Sequence, residues 1–131
     1  ALYTVLVEGD DMNEPVADAV RGFLDGHIVL SRKLANANHF PAIDILRSVS
    51  RLDRAVCSDE EIQLISSVRD LLSLYKQNED LINVGAYIKG SNPKIDLAIG
   101  KYPLIESFLR QKYDEIIPRD KSLEQLTSLI K

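Results

Sequence analysis

Apolar residues follow two rhythms along this chain, and the rhythm changes near residue 53. Leu2 to Glu8 is a short apolar, β-branched run closed by Gly9, the composition of a buried strand. The following GDDMNEP is turn chemistry, with Pro15 suited to a first helical turn. Val16, Ala19, Val20, Phe23 and Leu24 then recur at helical spacing, and Asp25-Gly26 supplies a stop. His27 to Leu30 reads as a second apolar strand. Ser31 to Ala37 begins as strand and ends as a short helical turn, residues 36–41 are loop, and 42–51 are irregular or partly helical.

Beyond that point the period is helical throughout. Ser58 with Glu61 makes a capping box, and Ile62, Ile65, Val68, Leu71, Leu72 and Tyr75 follow on one helical stripe. GAYIKG, residues 85–90, interrupts it; Ile88 is expected to cap the space between two helices, while Tyr87 either caps it too or stands exposed as an interaction site. Asn92-Pro93 opens the next helix, with asparagine as cap and proline in the first turn. Gly100 and Pro103 are expected to break or kink it before Leu104 to Gln111. Ser122 with Gln125 resembles a second capping box, opening a short last helix through Ile130. The pattern predicts two short strands plus a helix, followed by an all-α part, with domains at 1–53 and 54–131.

Composition narrows the classes. With 131 residues, 45% hydrophobic and 27% charged, the chain has the make-up of a globular domain and not of a disordered one. A net charge of −4 argues against a general nucleic-acid surface. No apolar run approaches the ~20 residues of a membrane helix, and the opening residues lack a signal-peptide layout. The single cysteine, Cys57, excludes an internal disulfide framework, fits a reducing compartment, and reads as a small residue near a helix start.

Little enzyme chemistry is written in the residues alone. His27 in a strand and His39 in a loop form no metal pair, and no serine elbow or phosphate-cradling glycine loop is present. The paired Asp10 and Asp11 favour hard cations in principle, but their loop lacks the ligand spacing of a calcium site. On composition alone, Arg51 is a loop arginine making a salt bridge.

The block TVLVEGDDMNEPVADAVRGFLDGHIVLSRKLANANHFPAIDILRSVSR, residues 4–51, changes that picture. It resembles the export ATPases of bacterial flagella and type III secretion systems, relatives of the rotary ATP synthase catalytic subunit. The likeness is dense over Leu2 to Leu52, fair over Ser58 to Gln111 and absent from Lys112 to Lys131. It implies that residues 1–53 are the C-terminal part of a RecA-like nucleotide-binding domain, an α/β remnant, and that 54–131 are a helical C-terminal domain. Walker A and Walker B motifs are expected upstream, so that this chain alone is expected to be inactive. Having lost its sheet partners, the segment from Leu2 to Leu30 is expected to be partly disordered or to pair with a second copy along a strand edge.

The resemblance also implies roles. Arg51, closing PAIDILRSVSR, is similar to an arginine finger that enters a neighbouring subunit's site and neutralises charge on the γ-phosphate. Phe40 falls where the ATP synthase catalytic subunit stacks an aromatic on adenine, and Tyr113, in FLRQKY, where it has a second aromatic. Asp10, Asp11, Asn13 and Glu14 stand where rotary relatives face a central pore and stalk. Tyr87 and Lys89 occupy the position of the relatives' acidic stalk-contacting loop, without its acidic run.

The implied parent hydrolyses ATP with Mg2+ as a homohexamer in the cytoplasm, at the base of the export apparatus and peripheral to the membrane export gate. Its implied partners are a central stalk protein, export chaperones and cargo, and a regulatory ATPase-binding protein, with no nucleic acid. The virulence injectisome shares these motifs. A reading from another class is a stand-alone helical interaction module, whose last helix presents Leu123, Leu126 and Ile130 on one face for a partner helix.

Overall fold

The long helix that the Ser58 capping box announces does start there. Ser58 Oγ accepts from the Glu61 amide at 3.2 Å, and the Ser58 amide donates to the Glu61 carboxylate at 2.7 Å. Both orphan donors of the first turn are thereby satisfied. In the computed structural model, which describes residues 1–7, 9, 11 and 13–130, the chain forms α1 (Pro15–Phe23), β1 (Gly26–His27), α2 (Arg32–Asn36), β2 (Val49–Ser50), α3 (Asp53–Val56), α4 (Asp59–Asn83), α5 (Pro93–Leu109) and α6 (Arg119–Ile130). The ordering agrees with an α/β front and a helical remainder.

The core lies among α4, α5 and α6. Val68, Leu72, Ile105, Leu126 and Leu129 form one buried cluster, and Ile105 is fully enclosed at 0% exposure. Tyr75 of α4 stacks on Tyr102 of α5, centroids 3.6 Å apart and planes 7° from parallel. Burial pushes the Tyr75 phenol above its ordinary value. Two polar contacts fasten α6 at both ends. Arg119 pairs with Glu61 at 2.8 Å, and Lys101 Nζ donates to the Leu129 carbonyl at 2.7 Å, serving an orphan acceptor of the last turn.

The front is held differently. β1 and β2 pair antiparallel, Gly26 opposite Ser50 and His27 opposite Val49. A Cβ at Gly26 would lie 2.7 Å from the Val49 carbonyl oxygen, so this close approach admits only glycine. Gly26 therefore serves strand pairing as well as ending α1. Ser31 Oγ caps α2 by accepting from Leu34 N at 3.3 Å.

Four expectations are corrected. Leu2 to Val7 form no strand, because no strand among the described residues lies beside them to complete their hydrogen bonds. The expected strand from His27 to Leu30 shortens to Gly26–His27, with an isolated bridge from Leu30 to Ile43, and of its last three residues only Val29 is buried. The break expected at Gly100 and Pro103 does not occur: α5 continues through both, because Ala98 and Ile105, buried on either side, hold it against its neighbours. α6 begins at Arg119, with Ser122 already inside it; the Ser122 amide donates to the Pro118 carbonyl at 3.1 Å.

Candidate functional site

β2 ends directly at Arg51, and the backbone there is fixed. The Arg51 amide donates to the Asp25 carbonyl at 2.7 Å, continuing the β1–β2 pairing by one residue. Its side chain is exposed and makes no ion pair or hydrogen bond among the described residues. A guanidinium on a fixed backbone, with no partner among the described residues, is placed to meet an anion that arrives from outside.

The turn that feeds β2 is closely tied. Asp44 Oδ1 accepts from the amides of Leu46 and Arg47, both at 3.1 Å. Ser48 Oγ donates to the Asp44 carbonyl at 2.6 Å and accepts from Val29 N at 3.0 Å. The His27 ring nitrogen Nε2 lies 3.1 Å from the Arg47 carbonyl oxygen. From the helical side, Arg69 of α4 reaches the carbonyls of Ile45, Leu46 and Ser48.

Phe40 lies on the preceding loop, next to Pro41 and joined to it by a cis peptide bond. The residue is 52% exposed, while its carbonyl accepts from the Gln111 amide at 2.9 Å. That bond draws the segment carrying Tyr113 to the loop carrying Phe40, although the two lie far apart in sequence. Tyr113 itself is wholly exposed. Arg110 Nη1 donates to the Asn38 carbonyl at 2.8 Å, and its Nη2 pairs with Glu106 at 3.1 Å. Beneath them His39 is buried, with Nδ1 3.8 Å from Glu106. A cavity of about 220 Å³ opens alongside, lined by Pro41, Ile43, Phe108, Gln111, Ile117 and Gln125 among others. Neither Phe40 nor Tyr113 lines this cavity, and both are exposed.

The expected contact residues separate into two groups. Asp11 is partly occupied by its own turn, since its Oδ1 accepts from Asn13 N at 3.0 Å and its carbonyl from Glu14 N at 3.1 Å. Asn13 is exposed, while Glu14 is half-buried and starts α1 through its carbonyl, which accepts from Asp18 N at 2.9 Å. Asp10 lies outside the described residues. In the other loop the Tyr87 hydroxyl lies 3.0 Å from Asp96 Oδ1 and 3.1 Å from the Asn92 carbonyl oxygen. Ile88, expected to cap the interhelical core, is instead 75% exposed beside exposed Lys89, because the Tyr87 anchor turns the tip outward. Among the described residues, no group of three or more His, Cys, Asp or Glu side chains is placed to hold a metal ion, and no helix is long and apolar enough to cross a membrane.

Sequence reasoning passed over Arg69, Arg110 and Gln111. Arg69 did leave a signal: it stands four residues after Ile65 and three before Leu72, a charge on the apolar stripe of α4. Arg110 offers locally only its i, i+4 pair with Glu106; the loop contacts of Arg110 and Gln111, to Asn38 and Phe40, lie 72 and 71 residues away.

Comparison with known proteins places these features in a family. The model described as T3SS EscN ATPase C-terminal domain matches residues 57–128, and that of the ATP synthase alpha/beta family, nucleotide-binding domain, matches residues 1–50. The chain is 52% identical over 129 residues to a flagellum-specific ATP synthase of Bacillus subtilis (strain 168), covering 98% of this chain and 30% of that protein. It is 51% identical over 130 residues to the SPI-2 type 3 secretion system ATPase of Salmonella typhimurium, covering 99% and 30%. Among solved structures it is similar to the assembled ATPase EscN in complex with its central stalk EscO, from enteropathogenic E. coli, with a TM-score of 0.84 and 41% identity over 89% of this chain and 29% of that one. The chain thus spans about 30% of the length of the curated relatives it matches.

Proposed function

The chain belongs to the T3SS EscN ATPase C-terminal domain family, and from that premise we propose that it is the C-terminal part of an ATPase that works as a homohexameric ring to energise flagellar, type III protein export. Residues 1–53 form the end of its nucleotide-binding domain and residues 54–131 its helical domain. In this reading Arg51 enters the neighbouring subunit's site and stabilises charge on the transferring γ-phosphoryl group. Phe40 and Tyr113 offer stacking surface to adenine, which gives binding energy without hydrogen-bond readout. The phosphate-cradling loop and the Mg2+ ligands belong to other parts of the parent, so this chain alone does not turn over ATP.

The observation that carries the reading is Arg51: its backbone is locked by Asp25 and the β1–β2 pair, while its side chain is exposed and unpaired among the described residues. The Gln111–Phe40 bond supports it, because it brings the two aromatic-bearing segments together. The exposed tip at Ile88 and Lys89, and the exposed Asp11 and Asn13, are the surfaces assigned to a central stalk. Export chaperones, cargo and a regulatory protein are assigned to the helical domain, in the cytoplasm below the membrane gate. The virulence-injectisome version of the same machine is the second reading, carried by the 51% identity to a type 3 secretion ATPase.

The test is Arg51→Ala in the full-length parent. Its kcat is expected to fall roughly a thousandfold, with nucleotide affinity nearly kept, as for a group acting only in the transition state. Unchanged hydrolysis sinks the finger assignment.

A further inference from the structure

Arg69 stands on α4, half-buried, yet its guanidinium contacts no carboxylate among the described residues. It faces three backbone carbonyls of the turn ahead of Arg51. Nη1 lies 2.8 Å from the Ile45 oxygen and 3.4 Å from that of Ser48; Nη2 lies 3.4 Å from those of Leu46 and Ser48. The carbonyls point together because Asp44 Oδ1 and the Asp44 carbonyl take the amides of residues 46 to 48, leaving the turn with the exposed acceptors of a helix C-terminus. A planar cation with forked donors satisfies several of them at once, which a lysine ammonium does not do in one geometry.

The turn leads without a break to Arg51. Ser48 is held at three points: its carbonyl by Arg69, its amide by the Asp44 carbonyl, and its hydroxyl between Asp44 and Val29. Val49 and Ser50 then pair with β1, and Arg51 follows. On its own side the turn rests on the helices through Ile45 and Leu46, which pack against the core of α4, α5 and α6.

We propose that Arg69 is a positioning residue for hydrolysis: by gripping the carbonyls of residues 45, 46 and 48 from the helical domain, it sets where Arg51 stands in the neighbouring subunit's site. This rests on the reading of Arg51 as a finger. Its consequence is that the helical domain governs the rate of the chemical step, since a shift of α4 moves the turn and the finger with it. A misplacement of about 1 Å in such a group costs up to roughly a hundredfold in rate.

The experiment is a double-mutant cycle in the full-length ATPase, read as kcat, KM and single-turnover rate. Arg69→Ala is expected to lower kcat by about tenfold to a hundredfold with KM little changed. Arg69→Lys should recover part of that loss, since it keeps the charge but not the fork. In an Arg51→Ala background, Arg69→Ala should cost nothing further, because the group it positions is gone. An equal loss in both backgrounds overturns the positioning role while leaving the finger intact. A normal rate in Arg51→Ala alone removes the finger, and the proposal with it. If Arg69→Ala does not assemble, the same cycle with Arg69→Lys decides by the same criterion.

Discussion

In α4, α5 and α6 the large apolar side chains meet one another: Val68, Leu72, Ile105, Leu126 and Leu129 form a single core, with Leu64, Leu71 and Phe108 packed against it. In the first 51 residues the same kinds of side chain turn outward. Leu2, Leu6, Phe23, Ile28 and Leu30 are all largely exposed, and of the described apolar residues there only Ala17 and Val29 are buried. The difference is not one of composition. A helical part can close its core with its own three helices, whereas a strand-rich part needs neighbouring strands and a covering layer. What holds the front in place is mainly backbone: carbonyls taken by Arg69, Arg110 and Gln111 from the helical side. Exposed apolar surface of this extent marks a place where another surface docks.

The contrast can be broken most sharply at its centre. Ile105→Ala should destabilise the chain by about 2–5 kcal/mol, measured by urea unfolding followed by circular dichroism, because it leaves a cavity inside three packed helices. A cost below about 1 kcal/mol would mean that the helical core is not close-packed.

A smaller, pH-limited effect is expected at the junction of α4 and α6. The Ser58 amide, donating to its carboxylate, holds Glu61 below its ordinary value of 4.5, and Arg119 adds to the effect. The folded state thus favours the charged form. The resulting stabilisation is present above pH 4.5 and is lost as pH falls from there through the lower folded value. Glu61→Gln should make the acid limb of a stability profile shallower in that range and leave its slope between about pH 5 and 8 unchanged. A steeper acid limb would contradict the assignment.

The smallest change is expected where the front is already solvated. Phe23→Ser should shift the stability of the isolated chain by no more than about 0.5 kcal/mol. A loss of 2 kcal/mol or more would show that the α1 stripe is covered even in this chain, by a second copy for instance. Thermal melts at two concentrations separate those cases.

How much could be read from sequence follows the same divide. The starts of α4 and α5 were legible because a cap is a local bargain among four residues: Ser58 with Glu61, Asn92 with the Lys94 amide. Leu2 to Glu8 reads as strand because its composition suits one, yet a strand's bonds come from a neighbour that composition does not supply. Pro103 reads as a break because it lacks a donor, and the helix nonetheless continues where Tyr102 stacks on Tyr75 and Ile105 is enclosed. Ile88 reads as a capping residue yet is exposed, since the tip is set by Tyr87, whose partner Asp96 lies nine residues on, in α5. At the site, the roles proposed for Phe40 and Arg51 come from resemblance. The clamp at Arg69 was visible only as a charge out of place on an apolar stripe.

The turn after α4 has a kinetic meaning. Gly85 and Gly90 take positive φ, 70° and 92°, and the Asp96 carboxylate holds both the Gly90 amide and the Tyr87 hydroxyl. The tip carrying Ile88 and Lys89 is therefore shaped before anything meets it. In the ring proposed above, a partner that passes over successive copies of this tip would meet the same form each time, with no loop to order at each encounter and none to release at each departure. Contacts of that kind can be brief and repeated, which suits a bearing better than a latch.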